Sequence, residues 1–151
     1  MLLPATPHQV PPSRPSFDVI YMNLAVALSA RSTCRRLSVG CVIVSADYQR
    51  VLSVGYNGNS RGLANDCDSD VPGQCGDIHA EANAIIKCRE PAETAKIVYV
   101  TNLPCKMCAK MLVNLGGVHA VRYLADYRIR DSLLVFEQAG ISCQQFDPEA
   151  P

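Results

Sequence analysis

Apolar residues at Val19, Ile20, Leu24, Ala27 and Leu28 recur at helical spacing, which predicts an amphipathic helix from Phe17 to about Arg31 with Ser16 as its N-cap. Downstream the period changes to that of strands. The β-rich runs Val39–Ser45 and Val51–Tyr56 flank a short polar turn at Ala46–Gln49 and predict an antiparallel hairpin. Asn57–Asp77 follows, rich in Gly, Asn, Asp and Ser. At roughly twenty residues, such a loop is longer than a compact domain keeps unless it binds something or is pinned by something other than a core. From there helical and strand patterns alternate: a helix at Ile78–Arg89, a buried strand at Ile97–Thr101, a helix at Lys106–Leu115 and a strand at Ala120–Leu124. A last helix at Ile129–Ala139 stops at Gly140, before an edge strand at Ile141–Phe146. This βαβ alternation implies parallel strands. Together with the hairpin it predicts a three-layer α/β/α domain with a mixed five-stranded sheet and helices on both faces.

A chain of 151 residues fits one domain. Lys plus Arg (14) balances Asp plus Glu (14), so no basic excess is available for a phosphate backbone and nucleic acid is not expected as a partner. Apolar residues make up 48% of the chain, but their runs are short, as in Val39–Val44, and no membrane span is expected. The start, MLLPATPHQVPPSRP, has neither a basic end nor a continuous apolar stretch and does not read as a secretory signal, which predicts a cytoplasmic protein. Its prolines predict a flexible tail over residues 1–16, leaving residues 17–147 as the domain and 148–151 as a C-terminal tail. Eight cysteines in a reducing compartment point to metal binding or chemistry rather than disulfides.

Two motifs sharpen that reading. His79-Ala80-Glu81 opens one helix, and 26 residues after the histidine Pro104-Cys105-Lys106-Met107-Cys108 opens the next. Cys105 and Cys108 share one face of a first helical turn, where the helix dipole and a cation favour thiolates. One imidazole and two thiolates give Zn²⁺ three protein ligands and leave the fourth tetrahedral position to water, the arrangement of a catalytic site. Zinc lowers the pKa of water from about 15.7 to near 7. Glu81, two residues from His79, is placed as the proton shuttle rather than as a ligand. A lone CxxC could instead be a redox pair, and a lone His-Ala-Glu an ordinary helix start. The two in this order, each at a strand-to-helix or loop-to-helix junction, favour zinc.

With these motifs the sequence resembles the deoxycytidylate (dCMP) deaminase family of the cytidine-deaminase-like fold. The resemblance runs through Arg31-Ser-Thr-Cys34-Arg-Arg-Leu-Ser-Val-Gly40, Gly55-Tyr-Asn-Gly58, Ile78-His-Ala-Glu-Ala-Asn-Ala-Ile85, Tyr99-Val-Thr-Asn-Leu-Pro-Cys-Lys-Met-Cys108 and Tyr127-Arg-Ile129. It implies zinc-dependent hydrolysis of dCMP to ammonia and dUMP, the precursor of dTMP, with Glu81 protonating N3 and then the departing amine. By similarity Asn57 would hydrogen-bond the deoxyribose and Tyr127 would stack on the sugar or base. The backbone of Ala80 and Thr101–Leu103 would read the pyrimidine edge. Arg36 would meet the 5′-phosphate through its planar fork, with the adjacent Arg35 as competitor for that role.

The resemblance also implies a second, structural zinc on Cys34, Cys67 and Cys75, which would pin the long loop. A closed site wants four ligands, and Asp66, Asp68, Asp77 or His8 could supply the fourth. Cys41, Cys88 and Cys143 sit in apolar patterns and read as plain buried thiols, and His119 as a structural residue. Many relatives respond to dCTP and dTTP, with Mg²⁺ as a companion of the effector, and form homo-oligomers, often hexamers. Here Asn59-Ser60-Arg61-Gly62 lacks the proline that accompanies such regulation. Two other readings stay open: a deaminase of another cytosine or adenine compound, including a base in nucleic acid, and a non-catalytic module stapled by zinc. The last requires a fourth protein ligand on the ion.

Overall fold

A computed structural model describes residues 14–148. The expected tail therefore falls largely outside the described residues, as does His8. The elements run α1 (Phe17–Ser29), β1 (Gly40–Ser45), β2 (Val51–Tyr56), α2 (Ala80–Lys87), β3 (Lys96–Asn102), α3 (Lys106–Leu115), β4 (Val118–Ala125), α4 (Asp131–Gln138) and β5 (Ser142–Gln145). The sheet order is β2-β1-β3-β4-β5. β1 is antiparallel to both β2 and β3, while β3, β4 and β5 are parallel, so the sheet is mixed as its pattern predicts.

Strand alternation separates two cores. Cys41 and Ile43 of β1, with Val98 and Val100 of β3, face Ala80 and Ala84 of α2, Ala109 and Leu112 of α3 and Phe136 of α4. The intervening residues Val42, Val44, Ile97 and Tyr99 face Tyr21, Met22 and Ala25 of α1. One helix thus covers one face and three cover the other.

Helix ends differ from their expected positions where backbone chemistry overrides periodicity. α1 starts at the Ser16 cap, whose hydroxyl accepts from the Val19 N–H at 3.3 Å, but stops at Ser29. α2 is shorter than Ile78–Arg89 because His79 (ψ 154°) and Cys88 (ψ 122°) are both extended. α4 begins at Asp131 rather than Ile129, and β5 covers only Ser142–Gln145.

Two glycines set how closely helices approach the sheet. A Cβ on Gly40 would lie 1.9 Å from the Ala25 carbonyl oxygen of α1, and one on Gly55 would lie 2.1 Å from the Ala80 carbonyl oxygen of α2. Neither neighbour can yield, since both are backbone. Gly55 thus holds the first turn of α2 against β2, and Gly55→Ala should cost about 2 kcal/mol or more by overpacking. It should also weaken zinc retention by displacing His79. Urea unfolding with parallel metal analysis checks this, and unchanged stability would show that α2 sits loosely.

Candidate functional site

The turns after β3 and before α2 bring two helix N-termini together. His79 is the N-cap of α2 and Cys105 the N-cap of α3, with Cys108 one turn inside α3. Cys105 Sγ accepts the Cys108 N–H at 3.4 Å, as a capping side chain does. His79 Nδ1 lies 3.6 Å from Cys105 Sγ and 3.4 Å from Cys108 Sγ. Tetrahedral zinc bonded to nitrogen at about 2.0 Å and sulfur at about 2.3 Å separates such donors by about 3.5 Å, so the histidine nitrogen already stands from each sulfur at the separation a zinc ion demands. Among the described residues, this group comprises these three side chains alone, without a fourth protein ligand.

The protonation pattern suits a cation. Cys105 is pulled down to about 4, first by the Cys108 thiol that hydrogen-bonds to it and then by His79. Cys108 is pushed up by its hydrogen bond to Cys105 and by burial. A divalent ion takes the place of the shared proton, so binding releases it. Glu81 is only 4% exposed, and burial raises its pKa above the ordinary carboxylate range. A carboxyl whose affinity for a proton is raised in this way is suited to take a proton and return it.

His79, Ala80, Glu81, Asn102, Leu103 and Cys105 line one part of a cavity of about 710 Å³. Of the other expected residues, Asn57, Arg36 and Tyr127 line the same cavity and Arg35 does not. Asn57 is buried; its Oδ1 accepts the Val39 N–H and its Nδ2 donates to the Leu37 carbonyl, both at 2.8 Å, so it holds the cavity wall in shape. Its φ is not positive, and the left-handed turn that often accounts for Asn before Gly does not apply. The two arginines differ in their partners. Arg35 spans Asp66 at 2.5 Å and Asp70 at 3.1 Å, whereas Arg36 donates from one nitrogen to the carbonyls of Ser69 (3.4 Å) and Asp70 (2.5 Å).

A second group forms beside the cavity. Ligand atoms of Cys34, Cys67, Cys75 and Asp77 all lie within 4.8 Å of one another. Asp66 is bound to Arg35 and Asp68 accepts from Asn59 Nδ2 at 3.0 Å, which leaves Asp77 as the acid on the cysteines. Cys67 is lowered, first by the Arg35 N–H and then by Cys75. Although the Asp77 N–H pulls Cys75 down, the hydrogen bond to Cys67 and partial burial carry it up to about 11.

Cys41 is fully buried as expected, but Cys88 and Cys143 are only half-buried. His119 is exposed on β4 and belongs to neither group of candidate metal ligands. The sequence reading missed Asp126 and Arg128, which also line the cavity. Their signal was positional: they follow a strand parallel to β3, and the loops at the carboxyl ends of adjacent parallel strands share one crevice. No described helix is long and apolar enough to cross a membrane.

Comparison with known proteins agrees with this geometry. Residues 15–125 match the family described as "Cytidine and deoxycytidylate deaminase zinc-binding region". The chain is 37% identical over 142 residues to "ComE operon protein 2" of Bacillus subtilis (strain 168), covering 89% of this chain and 73% of that protein. It is 35% identical over 149 residues to the deoxycytidylate deaminase of Saccharomyces cerevisiae, covering 90% of this chain and 46% of the longer yeast protein. Among solved structures it superposes on the dCMP deaminase of cyanophage S-TIM5 in complex with dCMP and dUMP, with a TM-score of 0.78, 31% identity and coverage of 89% of this chain and 99% of that one. The sequence match, the shared fold and the three-donor group beside a buried glutamate all lead to one assignment: this chain belongs to the zinc-binding cytidine and deoxycytidylate deaminase family.

Proposed function

We propose that this chain hydrolyses dCMP to dUMP and ammonia. The observation that carries the reading is the His79, Cys105 and Cys108 group opening beside buried Glu81 in a cavity that Arg36 also lines. Similarity to the cyanophage enzyme, whose structure contains dCMP and dUMP, supports the choice of substrate. Zinc, when bound, supplies the Lewis acidity that makes water a nucleophile near neutral pH.

The chain's own residues do the rest. Glu81 accepts a proton from the attacking water and delivers it to N3 of the pyrimidine. Glu81 then takes the second proton from the new C4 hydroxyl and, as the C4–N bond breaks and the C4 carbonyl forms, passes it to the departing amine, so that ammonia leaves and the carboxylate is restored. The backbone beside Ala80 and at Asn102–Leu103 borders the space for the base, and Tyr127 offers a ring for the sugar or base. Asn57, already tied to Leu37 and Val39, keeps a donor and a lone pair for the deoxyribose. Arg36 has two nitrogens beyond the one engaged by backbone carbonyls, enough for a bidentate phosphate contact. The free thiols the site needs are kept in a reducing compartment, and the cytoplasm is the one we assign.

Ammonia release from dCMP, deoxycytidine and dCTP tests the reading. Wild type should prefer dCMP, and Arg36→Ala should lower kcat/KM for dCMP by about tenfold to a hundredfold, the worth of a charge-assisted contact, while sparing deoxycytidine. Equal use of deoxycytidine and dCMP by the wild type would refute phosphate reading.

A structural zinc on Cys34, Cys67, Cys75 and Asp77 belongs to the same proposal. Beyond the convergence of four donors, Asp77 Oδ1 is buried without a hydrogen-bond partner, a state a cation would relieve. The ion would tie the 57–77 loop to the segment bearing Arg36. Zinc content should be about two per chain and fall to about one in Cys67→Ser. A single zinc in the wild type, unaltered by that substitution, would rule the second site out.

A further inference from the structure

We infer that Arg128 is a second reader of the substrate's 5′-phosphate, acting on the same cavity as Arg36. The inference rests on the dCMP reading and adds to it a residue on a different element. Arg128 lies on the β4–α4 loop, and Arg36 on the segment between α1 and β1. These two are the cationic side chains among the residues that line the cavity.

The charges around them are already committed. Asp126 is paired with Arg130 at 3.3 Å, and Asp77 is directed into the cysteine group, with Oδ2 at 4.0 Å from Cys67 Sγ. Arg36 has one nitrogen on the Ser69 and Asp70 carbonyls. Arg128 makes no ion pair among the described residues. Its guanidinium instead stands over the Tyr127 ring, 5.9 Å from the centroid. Such a contact draws the cation to the ring face without engaging its N–H groups, which stay open to a phosphate.

Placement supports the same role. The base must lie at the end of the cavity where His79, Glu81 and Cys105 meet, so the 5′-phosphate, the far end of the nucleotide, falls toward the exposed rim. Arg36 and Arg128 are both exposed, as rim residues are. A phosphate dianion offers three acceptor oxygens, more than one partly engaged arginine satisfies. Tyr127 connects the two tasks: its ring lines the cavity for the sugar or base, and the cation over it is placed to reach for the phosphate.

The test compares Arg128→Gln and Arg128→Lys with the zinc-loaded wild type on dCMP and deoxycytidine, with binding of the product dUMP measured by calorimetry. Arg128→Gln should lower kcat/KM for dCMP about tenfold or more, chiefly through KM, and weaken dUMP binding in proportion. Turnover of deoxycytidine should stay within about twofold, which also establishes that the variant is folded and active. Arg128→Lys should recover part of the loss, because charge without the fork is half of what the site uses. Rising salt should raise the KM of the wild type for dCMP more steeply than that of Arg128→Gln. Equal effects on dCMP and deoxycytidine, or no effect on either, would overturn the role of Arg128 and leave the deaminase reading intact. A wild type that shows no preference for dCMP fails at the earlier step, before any substitution is compared, and removes both.

Discussion

Glu81→Gln retains zinc and the fold but releases ammonia from dCMP about 10²- to 10⁴-fold more slowly, the range by which a positioned proton donor and acceptor accelerates a reaction. Glutamine matches glutamate in size, so the buried site keeps its packing. It cannot carry a proton from water to N3 or to the leaving amine. Because Glu81 is buried and its pKa is raised by burial, no exposed carboxylate can substitute for it. Activity and metal content must be measured on the same preparation. A variant with full zinc and undiminished turnover would show that the proton moves by another route.

Cys108→Ala is expected to abolish activity by a different path, through the metal. Cys108 is 2% exposed and binds from inside α3, while His79 and Cys105 bind from two helix caps. Removing it leaves two ligands and a loss of zinc to below about one-tenth occupancy. Cys108 is buried but belongs to neither core cluster, and alanine removes only its sulfur, so the chain should still fold. Zinc that binds only the folded wild type adds about 2.7 kcal/mol at a hundred times its dissociation constant. A chelator should therefore lower the melting midpoint of the wild type at this site and leave Cys108→Ala unresponsive there. Cys67→Ser serves as the background for both, so that the loop cysteines do not contribute. Identical chelator responses in the two chains would show that zinc does not join α2 to α3.

Much of this molecule was legible in its sequence, and the illegible parts share a cause. β1, β2 and β3 could be found as β-rich runs, and β1 and β3 are continuous runs because both of their faces are buried, Cys41 against Val42 being the clearest instance. His79, Glu81, Cys105 and Cys108 could be found because their chemistry is set by local spacing within two helix starts. Partners distant in sequence could not. Neither Arg35 nor Arg36 announces its role until the 66–70 segment folds back, giving Arg35 two carboxylates and leaving Arg36 at the cavity. Asp77 separates from Asp66 and Asp68 by the same folding. Lys96 precedes the run Ile97–Thr101, yet it belongs to β3 and is fully buried, with Nζ donating to the carbonyls of Pro91, Thr94 and Gly116. No local pattern encodes three carbonyls converging from two loops. Helix ends were misjudged at Ile78 and Ile129 because hydrophobic spacing continues past the point where the backbone turns extended or a loop takes over.

The most direct test is anomalous diffraction at the zinc edge on crystals of the active enzyme. The expected result is an ion bonded to His79 Nδ1, Cys105 Sγ and Cys108 Sγ, with solvent as its remaining ligand on the side facing Glu81. An ion closed by a fourth protein side chain, or no ion there in a fully active preparation, would contradict the proposed chemistry.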